Sequence, residues 1–317
     1  MANLRIFFTT DIHGSERCFL KFVNAGRFYK ANVLILGGDM TGKLIIPIVE
    51  RNGTYLCELM NSQMTAGSKQ ELRNLEKRIR DSGYYPYLTT RGELDELRAA
   101  PEKQDRLFSQ LMCESVKNWT TIAEERIRGT GIQCLISPGN DDRFDIDHII
   151  PRSGYVRNPD GEILQLDGDH EIISLGYSNM TPWKCPRDIS EDELAAKIET
   201  LTARIRDSQT CIFNMHCPPY NSGLDMAPQL DQRLTPVLAP GGAPVMIPVG
   251  SPSVRAAIDK YQPLLGLHGH IHESRATTKL GRTLCVNPGS EYSEGVLRGA
   301  LVDINGNKID DFLLTAG

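Results

Sequence analysis

The sequence lacks the marks of several protein classes. No C-x-x-C pair occurs among its eight cysteines, Cys18, Cys57, Cys113, Cys134, Cys185, Cys211, Cys217 and Cys285. Scattered through apolar segments, they read as buried free thiols, which argues against a disulfide framework or a structural zinc site. No apolar run approaches the ~20 residues of a membrane helix. The opening run Ile6-Phe7-Phe8 is too short for a signal-peptide core, and no small-residue cleavage site follows it. A cytoplasmic protein without membrane partners is expected. A basic excess is missing too: 35 Lys+Arg against 40 Asp+Glu leave a net charge of −5. That balance disfavours nucleic-acid binding driven by phosphate neutralisation. Periodic glycine, internal repeats and low-complexity segments are absent. With 40% hydrophobic and 24% charged residues, the 317-residue chain is neither collagen-like nor disordered.

What is present is a run of short apolar segments with polar ends. Leu4 to Thr9 reads as a strand. Ser15 then caps a helix striped by Phe19, Phe22, Val23 and Phe28, and Val33 to Leu36 is a second strand. Strand, helix, strand predicts a βαβ unit in a buried parallel sheet. Asn52-Gly53 between β-rich runs predicts a hairpin. From about 60 to 130 the chain turns helix-rich and charged, which predicts a helical insertion or cap within a single domain spanning 1–317. Strands follow at Ile132 to Ser137, Thr210 to Met215, Leu264 to Leu267, Thr283 to Val286, Arg298 to Ile304 and Lys308 to Leu314. Helices follow from Ser190 to about Arg206 and from Ser253 to Tyr261. A hairpin is expected over Tyr155 to Tyr177, turning at Asn158-Pro159-Asp160-Gly161, and a long Pro/Gly-rich loop from Cys217 to about Gly250.

Several of these strands end in metal-capable residues: Asp11 and His13, Asp39, Asn140, His216, and His270 with His272. Strand ends are where α/β sheets place ligands. Taken singly, each has an ordinary explanation as a turn, a cap or a core histidine. Their conjunction, using four of the seven histidines, argues for a metal site. Mixed oxygen and imidazole donors suit Mn, Fe, Zn or Co better than calcium.

In order, these segments are Asp11-Ile12-His13, Gly38-Asp39, Gly139-Asn140-Asp141-Asp142, His216 and Gly269-His270-Ile271-His272, followed by Asn287-Pro288-Gly289-Ser290. The set resembles the D-x-H, G-D, G-N-H-[DE], H and G-H-x-H motifs of the calcineurin-like metallophosphoesterases, and the resemblance spans residues 11 to 290. It implies a four-layer α/β/β/α sandwich with a helical insertion. It implies two metal ions, Mn, Fe or Zn. Asp11, His13, Asp39 and His272 would hold one; Asp39, Asn140, His216 and His270 would hold the other, with Asp39 bridging. The implied reaction is hydrolysis of a phosphodiester or small phosphomonoester by attack of a metal-bound hydroxide. Protein phosphatase and nuclease activities remain alternatives, because a fold does not fix its substrate. A non-catalytic scaffold is less expected, having no need of every ligand.

The chain departs from the family where Asp141 replaces the usual histidine, which is thought to protonate the leaving oxygen. An ordinary Asp is ionised at neutral pH and has no proton to give. Catalytic parts are therefore expected of Asp141, Asp142 and Arg143, with Arg143 touching the phosphate, or of His148 as a substitute acid. Gly37 to Lys43 also fits the G-x-x-x-x-G-K phosphate loop. However, Leu44 stands where Ser or Thr should bind magnesium, and the β-branched, Pro47-containing continuation is a poor helix. A nucleotide-binding loop is not expected, and Lys43 is expected to be dispensable. Trp119 and Trp183 are expected to pack rather than stack a base, and His170 and His268 to be structural.

Overall fold

The computed structural model describes residues 4–150 and 155–317. Two six-stranded sheets stand face to face. In spatial order, the first contains β20 (Lys308–Ala316), β19 (Arg298–Asn305), β1 (Leu4–Thr9), β2 (Val33–Gly37), β7 (Gln133–Ser137) and β8 (Val156–Arg157). The second contains β17 (Ala276–Leu280), β18 (Thr283–Asn287), β16 (Leu265–Leu267), β13 (Ile212–Met215), β10 (Glu171–Leu175) and β9 (Ile163–Gln165). The central strands of each sheet run parallel; β1 pairs with β2, β2 with β7, β10 with β13 and β13 with β16.

Side-chain alternation sets the layers. Ile6 and Phe8 of β1 face the second sheet and join Val33, Ile35, Ile212, Leu265 and Val286 in the core between the sheets. Phe7 points the other way and packs with α1 (Glu16–Phe28) and α4 (Pro101–Ile127). On the far face of the second sheet, Ile173, Phe213 and Met215 pack with α5 (Glu191–Thr202) and α6 (Pro252–Tyr261). The result is an α/β/β/α sandwich. Full burial of an aliphatic or Phe side chain contributes about 1.5–3 kcal/mol, so these three clusters hold the layers together. No helix among the described residues is long and apolar enough to cross a membrane.

Several local expectations change. Phe28 does not join the core; it is 77% exposed, and Ala25 and Gly26 fill that face of α1. The stretch 60–130 is not wholly helical. It holds α2 (Lys69–Asp81), α3 (Arg91–Arg98) and α4, but also β5 (Ser62–Ala66) and β6 (Tyr85–Thr89). These complete a four-stranded sheet with β3 (Ile45–Arg51) and β4 (Thr54–Leu59). α2 covers that sheet through Leu72, Leu75 and Ile79. α4 lies on the first sheet, with Trp119 stacked on Phe19 at 4.4 Å. The β3–β4 turn is the expected one: Asn52 and Gly53 both have positive φ, as a two-residue hairpin needs.

The turn at Asn158 to Gly161 does not close a hairpin. β8 pairs with β7 in one sheet, and β9 pairs with β10 in the other. The hairpin itself turns at 166–170, where Asp167 accepts from the backbone N–H of Asp169 and of His170. The Pro/Gly-rich stretch after β13 is an ordered arm rather than a bare loop. β14 (Met226–Pro228) pairs with β15 (Met246–Pro248), and two isolated bridges, Leu230 with Pro236 and Leu238 with Pro244, extend it. Before α5, β11 (Ser178–Asn179) pairs with β12 (Asp188–Ile189).

Candidate metal centre

All seven expected ligands converge where the loops after β1, β2, β7, β13 and β16 meet. Backbone hydrogen bonds stitch these loops together: Asp11 N donates to Gly38 O at 2.9 Å, His13 N to Asp39 O at 3.0 Å, and Gly269 N to His216 O at 2.9 Å. The close approach explains two motif glycines. A Cβ on Gly38 would collide with the His216 ring, and one on Gly139 with the Asp39 carboxylate. Asp11, His13, Asp39 and His270 all have positive φ, at 54°, 37°, 48° and 67°. Each such conformation costs on the order of 1–3 kcal/mol and persists where surrounding structure imposes it, commonly at functional sites.

The ligand atoms of Asp11, His13 and His272 lie within 4.8 Å of one another, and so do those of Asp39, His216 and His270. A third such group, His13, Asp39 and Asp141, joins the two. His13 Nε2 and His272 Nε2 face each other at 3.0 Å. His216 Nδ1 donates to Gly37 O at 3.0 Å, which aims Nε2 at the centre. That Nε2 is buried and makes no hydrogen bond, with Asp39 Oδ1 at 3.4 Å. Asn140 Nδ2 donates to Asp188 Oδ1 at 2.8 Å, so Asn140 Oδ1 turns toward the centre, 2.8 Å from His270 Nδ1. Convergent lone pairs, two buried carboxylates and an unpartnered imidazole nitrogen are a donor set that fits divalent transition metals.

The electrostatics agree. Burial opposes ionisation of Asp11, but the hydrogen bond from His272 and the charge on His216 hold its carboxyl down to about 2. Burial likewise opposes ionisation of Asp39, yet His216 keeps it well below the ordinary carboxylate range. Burial pushes His13 down to about 3 and His270 down to about 4, so both offer neutral rings. Burial would also lower His216, but the Asp39 charge outweighs it and lifts the ring up to about 10.

The three residues expected to be catalytic separate. Asp141 is at the centre, its Oδ2 2.7 Å from Lys43 Nζ and 3.8 Å from His13 Nδ1. Asp142 is not presented to the site. Fully buried, it accepts from the N–H groups of Met40 at 3.0 Å, Thr41 at 2.9 Å and Gly139 at 2.8 Å. It clamps the Asp39 loop to the Asn140 loop. Arg143 turns away as well, engaged by Asp105 at 2.6 Å and Asp145 at 2.8 Å. His148 is exposed, His268 is a core residue bonded to Met215 O, and His170 bridges Asp167 and Gly306 O.

Three contributors escape a reading of the sequence. Lys43 faces the centre rather than solvent alone, and β3 begins at Ile45, where a phosphate loop would need a helix. Asp188 orients Asn140 with no local motif to announce it. The Tyr292 ring lies 4.8 Å from that of His13. The Asn287-Pro288-Gly289-Ser290 segment has a clear use: Ser290 Oγ donates to Asp11 O at 2.6 Å, and Asn287 Nδ2 to Ile271 O at 2.9 Å. The centre opens into a cavity of about 820 Å³, floored by Asp39, Asn140, Asp141 and His270.

No protein-family profile matches the chain. It is 28% identical over 159 residues to MJ1162, an uncharacterised protein of Methanocaldococcus jannaschii; the match covers 50% of this chain and 64% of the relative. The chain thus spans less than two thirds of that relative's length. The solved structure of TT1561 from Thermus thermophilus matches 100% of this chain and 99% of its own, at 16% identity and a TM-score of 0.55. Another solved chain matches with 99% coverage of both, 14% identity and a TM-score of 0.56. A solved archaeal phosphodiesterase is more distant, at 9% identity and a TM-score of 0.37 over 98% of this chain and 100% of its own. The two likenesses with TM-scores above 0.5 establish the fold alone.

Proposed function

We propose that this chain, which has the four-layer metallophosphoesterase fold, is a metal-dependent phosphoesterase acting on a phosphodiester or small phosphomonoester. The observation that carries the reading is Asp39, which lies within ligand reach of both histidine-bearing halves of the cluster. Two divalent ions, Mn, Fe or Zn, would polarise the phosphoryl group and activate water when bound there.

The chain's own residues do the rest. Asp11, His13, Asp39 and His272 form one ligand set, and Asp39, Asn140, His216 and His270 form the other. The Asp39 carboxylate, shared by both, offsets repulsion between two cations. Gly37 O and Asp188 fix the ring of His216 and the amide of Asn140 before any ligand arrives. Lys43 brings a positive charge to the edge of the cavity, oriented by Asp141, and is suited to contact a phosphoryl oxygen. The sheet of β3 to β6 with α2 and α3 is read as an insertion in a single domain, and it delivers Lys43. The arm of β14 and β15 bounds the cavity, which favours small substrates over folded phosphoproteins.

The test is metal analysis with turnover of an activated phosphodiester. Protein prepared without chelator should carry more than one equivalent of metal and hydrolyse the ester. Asp39→Asn should lose both properties. Two metals retained by that variant would sink the ligand assignment, and metal without turnover of any ester would favour a scaffold.

A further inference from the structure

The cavity before the metal centre has two unlike walls. One is the ligand cluster with Lys43. The other is apolar and comes from the turn 179–185 and the β14–β15 arm: Met180, Pro182, Trp183, Pro228, Leu230 and Ile247. Water would take this wall only at a cost unless a ligand covers it. Trp183 is its most prominent member. Its side chain is 65% exposed, whereas Trp119 is 3% exposed and stacked in the core. Among the described residues, no aromatic ring stacks on Trp183 and no group bonds its indole.

The turn bearing Trp183 is held firmly. Thr181 N, Thr181 Oγ1 and Cys185 N all donate to Asp188 Oδ2, at 3.0, 2.5 and 2.9 Å. The other oxygen of that carboxylate holds Asn140. One side chain therefore fixes both a metal ligand and the platform beside it. An indole presented on a rigid turn loses little entropy when a ligand covers it.

We infer that the apolar wall seats the organic part of the substrate, and that this part is a flat aromatic ring of the nucleobase type stacked on Trp183. The inference rests on the phosphoesterase reading and narrows its substrate class. A ring stacks on one open aromatic face without needing an enclosing groove. Gln229 and Glu273 line the same cavity. They offer a donor and acceptors to the edge of a base, whereas an alkyl chain would strip them of water and give nothing back.

Calorimetric titration of the metal-loaded full chain tests this, with AMP, ribose 5-phosphate, octyl phosphate and inorganic phosphate as probes. AMP should bind about tenfold tighter than ribose 5-phosphate, in line with stacking on an aromatic side chain, and should quench tryptophan emission. Trp183→Ala, a change at an exposed site that spares the core, should bring AMP to the level of ribose 5-phosphate and leave inorganic phosphate unchanged. Equal binding of AMP and ribose 5-phosphate, an AMP advantage that survives Trp183→Ala, or octyl phosphate binding tighter than AMP would each overturn the inference while leaving the phosphoesterase reading intact. If metal-loaded protein bound none of the four probes, the inference would fall, and the phosphoesterase reading would fall with it if the activated phosphodiester were not hydrolysed either.

Discussion

Asp188 holds Asn140 by its amide: Asn140 Nδ2 donates to Asp188 Oδ1 at 2.8 Å. The bond decides which end of the amide faces the centre. An amide oxygen is a metal ligand and an amide nitrogen is not, so a carboxylate on β12 selects the useful orientation of a residue 48 positions earlier in the chain. Loss of such an outer contact commonly costs 10–100-fold in metal affinity. Asp188→Ala is expected to weaken metal binding by roughly that factor while the helical content is kept, as read by chelator competition and circular dichroism. Unchanged affinity would mean that Asn140 is positioned by His270 alone.

Lys43 reverses an expectation. Its sequence context suggests a failed phosphate loop, and hence a dispensable lysine. Its place, 2.7 Å from Asp141 at the mouth of the cavity, gives it a part of its own. Burial works against its charge, but Asp141 raises the ammonium above its ordinary value, so it stays cationic. Lys43→Ala is expected to lower kcat by roughly 100-fold, the lower end of what is seen when one donor to a transition-state charge is removed. Thermal stability should change little, because the ion pair is partly solvent-exposed. Turnover within a few-fold of wild type would return Lys43 to the solvated surface.

The convergence of the candidate ligands is legible in the sequence because each of their segments ends an apolar strand, where period and punctuation agree. Strands β1, β2, β7, β13 and β16 carry the strongest hydrophobic signal, and the ligands follow directly. The division of labour between Asp141 and Asp142 is hidden. Adjacent residues in a turn point in different directions, and only the loop path shows that Asp142 meets the N–H groups of Met40, Thr41 and Gly139. Arg143 is misplaced by sequence for a related reason: its partner Asp105 lies 38 residues away on α4. The residues Asn158 to Gly161 do form a turn, but turn chemistry does not say which sheet each flanking strand joins. β5 and β6 leave a weak signal because they are short and poor in apolar residues: β5 carries Ser62, Gln63 and Thr65 and buries only Ala66, and β6 is interrupted by Pro86.

Metal binding is expected to tighten with pH. The Asp39 charge lifts His216 from the ordinary 6.5 to about 10, so a cation at Nε2 must displace a proton. Between about pH 6 and pH 8, apparent affinity should rise about tenfold per unit for each proton released. The stability of metal-free protein should move the other way. A raised histidine contributes stability that is complete below its unfolded value and is lost as pH rises through the folded one. Metal-free protein should therefore weaken from about pH 6.5 toward about pH 10, and loaded protein much less. Chelator competition and thermal melts across this range check both signs; affinity independent of pH would remove His216 from the ligand set.

The same Asp141 that binds Lys43 stands where the calcineurin-like pattern that the chain resembles has a histidine, and that shapes the expected substrate preference. A positioned proton donor typically contributes ~10²–10⁴-fold, most of it when the leaving oxygen is basic. Here the group at that position accepts from the Lys43 ammonium at 2.7 Å instead of being aimed as a donor at a leaving oxygen. Wild-type turnover should therefore fall steeply as the leaving-group pKa rises from nitrophenols to alcohols. Asp141→His does not restore a donor by itself. A catalytic imidazole needs a partner to orient it, and both oxygens of Asp142 are already taken by backbone N–H groups. The variant also frees Lys43 from its carboxylate. The expected result is a slope that remains steep, with rates for aryl esters changed by Lys43 and little recovery for alkyl esters. A leaving-group series on wild type, Asp141→His and Lys43→Ala separates the alternatives. A flat wild-type series that becomes steep in Lys43→Ala would make the Lys43 ammonium the acid, and a series that stays flat in every variant would place the slow step outside bond cleavage.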